Sequence, residues 1–312
     1  MTRTDLTMVE RRFASQPARM EECRAKVCVG IATRGRPAQV QHVVRRLRRQ
    51  SLRPSTIVVA CVEPSDVAGL ERAPDLRVVY GGPGLAKQRN LVLDCAPADA
   101  DYVVYFDDDF LADDHWLEMA VAQFEADPAI ACVTGNVIAD GILGPGLTLE
   151  EGEAALDSAD RRNLDWRIED YSPYGCNMAY RASAIADLRF DERLVSYAWL
   201  EDRDFGARVS KRGGSLIKLG AALGVHLGVK QGRVSGKRLG YSQIINPSYM
   251  FAKGTISRRK AIVSALRNIC ANLAKSPWPE TYIDRRGRLL GNALAMVDLV
   301  RGVCEPERAE LL

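Results

Sequence analysis

From Val27 onward, short apolar runs alternate with segments whose apolar residues recur every third or fourth position. The runs are "VCVGIA", "TIVVACV", "LRVVY", "DYVVYF" and "AIACVTGNVI". They are near-continuous rather than alternating, as strands covered on both faces must be. Between them, Val40, Val43, Val44 and Leu47 define one helix with arginines opposite. A second runs from the glycines at 81–84 through Asp94. A third carries Trp116, Leu117, Ala120, Val121 and Phe124, with Asp113 placed to cap it. Strands alternating with helices predict parallel pairing and right-handed crossovers. Residues 27–138 therefore read as half of a doubly wound α/β domain.

The pattern then changes. Residues 140–173, with several acids and a Gly-Pro-Gly, read as a long connection or lid. Beyond it lie "YGCNMAYRASAI", "WLEDRDFGARVSKRGG" and two short apolar runs ending near His226. In the second of these, Phe205 and Val209 are four apart and predict the buried face of a helix. After residue 236 the chain reads as helical. Ile262, Leu266, Ile269 and Leu273 form one stripe, and Leu290, Ala293, Leu294 and Val297 another. The resulting division is an N-terminal extension (1–26), an α/β domain (27–228, with halves 27–138 and 174–228) and a helical C-terminal region (229–312).

Composition narrows the class. With 312 residues, 47% hydrophobic and 27% charged, the chain has the make-up of a globular protein. No apolar run approaches the roughly 20 residues that span a bilayer. Residues 1–20 lack the apolar core of a signal peptide, so the expected location is cytoplasmic. The eight cysteines are scattered without C-x-x-C spacing, which argues against a structural zinc or a redox pair. The net charge of +3 conceals an asymmetry: residues 230–288 hold thirteen Lys or Arg against Glu280 and Asp284. That leaves the remainder acidic, and points to a cation site in one part and an anionic partner for the other.

The chemistry gathers at predicted strand ends. Ligands of open α/β sheets bind outside the carboxyl ends of the strands. Asp107, Asp108 and Asp109 follow the fourth strand, and carboxylates so close together suit a hard divalent cation. Thr33 and Arg34 in "TRGRP" follow the first strand, where they can meet a nucleotide. Lys87 and Arg89 in "GPGLAKQRN" follow the third, where they can pair with phosphate. That glycine cluster is neither a dinucleotide fingerprint nor a P-loop. Glu201 and Asp202 open a helix, whose dipole keeps a carboxylate ionised, as a general base requires. His226 ends a predicted strand and is a candidate further metal ligand.

Taken in order, "VGIATRGRP", "GLAKQRN", "YFDDDF", "GCNMAYR" and "LEDRDFGARVSKRG" resemble the family 2 glycosyltransferases over about Val27 to His226. The resemblance implies a GT-A fold: a mixed, mainly parallel sheet flanked by helices, here with a helical C-terminal extension. It implies inverting transfer of a sugar from a nucleotide-sugar donor, with Mg2+ or Mn2+. Asp107 and Asp109 would be the ends of the D-x-D metal motif, with Asp108 between them on the donor side. Asp202 would be the base of the E-D motif, with Glu201 beside it. Gly175, Cys176 and Asn177 would form the acceptor loop, and His226 a late metal ligand. Many relatives have a D-D-G-S-like turn after the second strand. This chain reads "CVEPSD" there, so Glu63 or Asp66 would contact the nucleoside, with UDP favoured over GDP or dTDP. The Q-x-x-R-W motif of processive synthases is missing, which favours addition of single residues.

The expected acceptor is a glycan or a lipid-linked glycan of cell-envelope assembly. The basic tail, beside amphipathic stripes, adds possible peripheral contact with an anionic membrane at its inner face. The rival classes are a nucleotidyltransferase and a non-catalytic sugar-nucleotide-binding protein. A nucleic-acid partner is not expected, because few aromatic residues interleave with the basic ones.

Overall fold

The computed structural model describes residues 25–230 and 235–312, so the N-terminal extension lies outside the described residues up to position 24. The first half alternates as its pattern requires: β1 (Val27–Ala32), α1 (Pro37–Leu47), β2 (Thr56–Cys61), β3 (Leu76–Tyr80), α2 (Leu85–Cys95) and β4 (Tyr102–Asp107). Pro37 sits at the first turn of α1, where its missing N–H costs nothing. Next come β5 (Phe110–Ala112), α3 (Trp116–Ala126), β6 (Ile130–Asp140), α4 (Leu149–Asp157), β7 (Arg167–Glu169), β8 (Asn177–Arg181) and α5 (Ala182–Ile185). The chain continues with α6 (Glu201–Lys211), β9 (Ser215–His226), α7 (Gly236–Lys253), α8 (Arg258–Lys275) and α9 (Arg285–Val300).

The nine strands among the described residues join one mixed sheet in the order β3-β2-β1-β4-β8-β6-β9-β5, with β7 also on β9. β3, β2, β1 and β4 run parallel, β8 runs antiparallel between β4 and β6, and β5 and β7 run antiparallel to β9. The two apolar runs expected before His226 are one strand. The chain leaves β1 toward β2 and β3 and returns on the other side of β1 as β4. That reversal opens a crevice at the carboxyl ends of β1 and β4, where Ala32 pairs with Asp107.

Alternate residues feed two cores. Val29, Ile31, Val104 and Phe106 pack with α1 and α3 on one face. Cys28, Val58, Val103 and Tyr105 pack with Ala86 and Phe205 on the other. Each such side chain contributes about 1.5–3 kcal/mol by leaving water.

The segment read as a lid is docked. Glu153 of α4 accepts from Arg46 of α1, Leu156 packs with Leu111, Val225 and Leu227, and β7 pairs with β9. The C-terminal helices also differ from the sequence pattern. α7 and α9 approach through Gly240 and Gly291, where an added Cβ would stand 2.1 Å from the carbonyls of Arg288 and Lys237. Asn272 is buried, its amide donating to Gln243 and Asn292, and the Tyr241 hydroxyl donates to Asp298. Only part of each predicted stripe faces this interior: Ile269 and Leu294 pack against the Tyr241, Ile244 and Ile245 core, whereas Ile262, Leu266, Leu273, Leu290 and Val297 are exposed.

Candidate active site

Strand pairing assembles the acidic cluster. β5 turns back beside β9, so Phe110 pairs with His226 and the Leu227 amide donates to the Asp109 carbonyl. β6 lies on the other side of β9 and sets Asp140 opposite His226. One ligating atom each from Asp107, Asp109 and His226 then lies within 4.8 Å of the others. His226 Nε2 is 3.5 Å from Asp109 Oδ1, and Nδ1 is 2.9 Å from Asp140 Oδ1. Tyr174 donates to the second oxygen of Asp140 at 2.8 Å. An imidazole oriented by a carboxylate on its far nitrogen is the usual arrangement of a metal-binding histidine.

This donor set fits a divalent cation: two carboxylates and an imidazole converge, with a third carboxylate fixing the ring. Burial works against charge on His226, but Asp109 and Asp140 overcome it and raise its pKa to about 10. Burial likewise works against ionisation of Asp109, but His226, Arg36 and the Val229 amide lower its pKa to about 2.

Asp108 does not face this cluster. It is buried, accepts from the Thr33 hydroxyl at 2.7 Å and pairs with Arg36 at 2.8 Å. Burial, with the Asp109 charge adding to it, pushes its pKa up to about 7 despite Arg36. The donor contacts expected of Asp108 and Thr33 are therefore corrected: in the tight turn between β4 and β5, Asp108 is drawn to Thr33 and Arg36, and these bonds tie the β1–α1 turn to the end of β4. Asp66 fixes that turn from the other side. It accepts from the Gly35 amide at 2.7 Å and from the Val62 and Glu63 amides at 2.9 Å each. Burial would raise its pKa, but these amides and Arg34 hold it below the usual value. Glu63, Arg34 and Lys87 are exposed near this edge. Lys87 stands in the first turn of α2, with no ion-pair partner among the described residues.

Arg89 also departs from expectation. At 2% exposure it is not placed to grip a phosphate. Its guanidinium donates to Glu201, to Asp107 at 3.1 Å and to the Gly175 carbonyl at 2.8 Å. Three acceptors hold it behind the cleft, where it ties β4, α6 and the loop before β8 together. Glu201 is the buried partner rather than a second catalytic group. Burial raises its pKa well above normal even against Arg89, and its Oε2 has no hydrogen-bond partner among the described residues.

Asp202, one residue on, reaches the cleft side. It accepts from the Gly175 amide at 2.9 Å and the Arg203 amide at 2.7 Å, and burial raises its pKa. Gly175 is required by close approach: a Cβ there would lie 3.1 Å from Arg89 and 3.4 Å from Asp202. All three residues of the expected acceptor loop are buried: Gly175 touches Arg89 and Asp202, the Cys176 carbonyl accepts from the Asp107 amide at 3.1 Å, and Asn177 opens β8.

Three contributors were not singled out from the sequence. Arg36 lay inside the "TRGRP" turn, one residue before the helix-opening proline. Asp140 and Tyr174 gave no local indication, because their roles depend on where β6 and β8 pair.

The family model described as glycosyl transferase family 2 matches residues 28–189, just over half of the chain. In fold, the chain is similar to the mannosyltransferase PcManGT from Pyrobaculum calidifontis, solved in complex with GDP-Man and Mn2+. The TM-score is 0.53 at 17% identity, covering 89% of this chain and 81% of that one. It is also similar to a structure of S. aureus TarS, residues 1–349, with TM-score 0.46, 16% identity, and coverage of 71% and 64%. Curated proteins give no significant match. The family match spans the β1–β4 crevice with Asp107 and Asp109, and ends before Asp202 and His226; the chain accordingly belongs to glycosyl transferase family 2 and is a glycosyltransferase.

Proposed function

We propose that the protein moves one sugar, with inversion, from a nucleotide-sugar to a hydroxyl of a glycan or lipid-linked acceptor in cell-envelope assembly. The observation that carries this reading is the convergence of Asp107, Asp109 and His226 at the β1–β4 crevice, bridged through Arg89 to the Asp202 loop. Asp107, Asp109 and His226 would hold Mg2+ or Mn2+, which when bound offsets charge on the donor diphosphate. Lys87, at the amino end of α2, and Arg34, in the turn after β1, are exposed cations near this edge that can meet that diphosphate. Asp202 accepts the proton of the acceptor hydroxyl as its oxygen attacks the anomeric carbon from the face opposite the diphosphate. Its raised pKa makes it a stronger base than an exposed aspartate. Arg89 acts through others, fixing Asp107 and the Gly175 loop to each other. The 27–138 half supplies the donor side, and 174–228 the base.

The test is thermal stabilisation and donor hydrolysis across UDP-, GDP- and dTDP-sugars, with and without Mn2+; the Mn2+ bound to the Pyrobaculum calidifontis mannosyltransferase makes it the first ion to try. One nucleoside diphosphate should stabilise the protein only with the metal, and Asp109→Ala should remove that response. Stabilisation that ignores the metal would sink the metal-dependent reading.

A further inference from the structure

α8 and α9 pack Ala265, Ile269, Leu294 and Ala295 inward, yet each also divides its side chains unusually. Toward α7 they bury Asn272, Asn292 and Asp298. Toward solvent they present Ile262, Leu266, Met296, Val297 and Val300, the last 89% exposed. The surface is continuous: Phe251, Ile262, Leu266, Ile269, Met296 and Leu299 line one apolar groove of about 320 Å³ between α7, α8 and α9. Trp278, in the turn between α8 and α9, is 86% exposed. An exposed face of this kind marks a surface that is covered in use.

We propose that it is covered by an anionic lipid bilayer surface. α8 carries Arg258, Arg259, Lys260, Arg267 and Lys275 and no acid. Arg258, Arg259, Lys260 and Arg267 have no ion-pair partner among the described residues. Two copies of the chain meeting across α8 would bring these cations together as apolar contact excluded water, where like charges repel most strongly. Anionic headgroups reverse that sign: they neutralise the cations while the acyl boundary receives the aliphatic side chains. A tryptophan at the edge of such a face suits the interface, which accepts both its ring and its N–H. No helix among the described residues is long and apolar enough to cross a membrane, so the contact is peripheral.

The face is tied structurally to the helix that carries Asp202. α7 carries α8 and α9 through Tyr241, Gln243 and Gly240. The same helix holds the loop before α6 by the Asn246 bond to the Trp199 carbonyl, and α6 itself by Lys253 on Asp204. Asp204 is two residues beyond Asp202. The lipid seat thus fixes the base helix relative to a membrane-borne acceptor.

The experiment is cosedimentation of the full chain with phosphatidylcholine vesicles and with vesicles of mixed phosphatidylcholine and phosphatidylglycerol. Binding is expected only to the mixed vesicles and should weaken as salt screens the headgroups. Leu266→Glu with Val300→Glu, and separately Arg258→Glu with Arg259→Glu, should each weaken it by about tenfold or more. Trp278 emission should shift to the blue with mixed vesicles, and the shift should vanish in Trp278→Phe. Unchanged thermal unfolding in the variants establishes that they fold, and no arm depends on sugar transfer. A chain that stays in the supernatant at low salt, or binding indifferent to both double variants, overturns the proposal. A solution dimer dissociated by Leu266→Glu with Val300→Glu also overturns it, assigning the face to a second copy.

Discussion

Arg89 and Asn272 are both almost wholly buried, yet they organise opposite kinds of structure. Around Arg89, at the sheet edge, charges are drawn inward and spent on one another, and Asp107 and Asp202 are the carboxylates that it holds at the cleft side. Around Asn272, polar groups are again drawn inward, but what they leave outside is apolar: Ile262, Leu266 and Val300. Buried polarity does two jobs here. At the edge it fixes reacting groups before substrate arrives, so little reorganisation remains for the reaction itself. In the helices it supplements the apolar packing of Ile244, Ile245 and Ala295 that holds α7, α8 and α9, and leaves part of their apolar surface for an outside partner.

The comparison breaks first at Asp202. Asp202→Asn should lower transfer about 10²- to 10⁴-fold while donor binding persists. Full transfer by that variant would remove Asp202 as the base and leave the edge as a binding site only. Next in size is Arg89→Met, which strands Glu201 and Asp107 and should cost about 3–5 kcal/mol in denaturant unfolding. Adding Glu201→Leu should recover much of that loss, because the pair is then replaced rather than broken. If the double variant is no better than the single one, Arg89 acts through something other than Glu201.

The corresponding change among the helices is smaller. Asn272→Ala should cost about 1–3 kcal/mol, by leaving the Gln243 and Asn292 acceptors unpaired, with donor affinity unchanged. A drop in donor affinity would mean that the two regions are not independent.

The pH dependence is smaller still. Asp202 works ionised, and burial raises its pKa. Activity should therefore be present above that pKa and fall about tenfold per pH unit below it, with a midpoint above the usual aspartate range. That acid limb should disappear from the residual rate of Asp202→Asn. The smallest effect is expected at the outer face, where Leu266→Glu should change stability by no more than about 0.5 kcal/mol. A larger loss would show that this face is part of the core rather than a surface left for a partner.

Much of this was legible in the chain. The apolar runs and helical spacings place β1 to β4, α1 to α3 and the start of α6, because those elements are made by local periodicity. The acidic triplet could be placed at a strand end, and Glu201-Asp202 at a helix start. The resemblance to the family supplied their roles, and the match over residues 28–189 bears out the family. Which member of each motif faces the cleft was not legible. Adjacent residues such as Asp108 and Asp109, or Glu201 and Asp202, differ only in the direction of a side chain. That direction is set by what packs on either side: Arg36 and Thr33 for one pair, Arg89 for the other.

By itself, then, the sequence determined β1 to β4 with α1 to α3, the family and the edge of the sheet where the chemistry gathers, but not β5, α4 or β7. Local spacing and short motifs carry that much. Only the tertiary structure joined His226 to Asp109 and Asp140, since β5, β6 and β9 meet by pairing between distant segments. It also decided which members of the α8 and α9 stripes face outward. A periodic stripe says that one side of a helix differs from the other; which part of it meets the protein depends on the partner helix. Here Gly240 and Gly291 bring α7 and α9 together with Asn292 and Ala295 inside, so Ile269 and Leu294 turn inward while Ile262, Leu266 and Val297 are left outside.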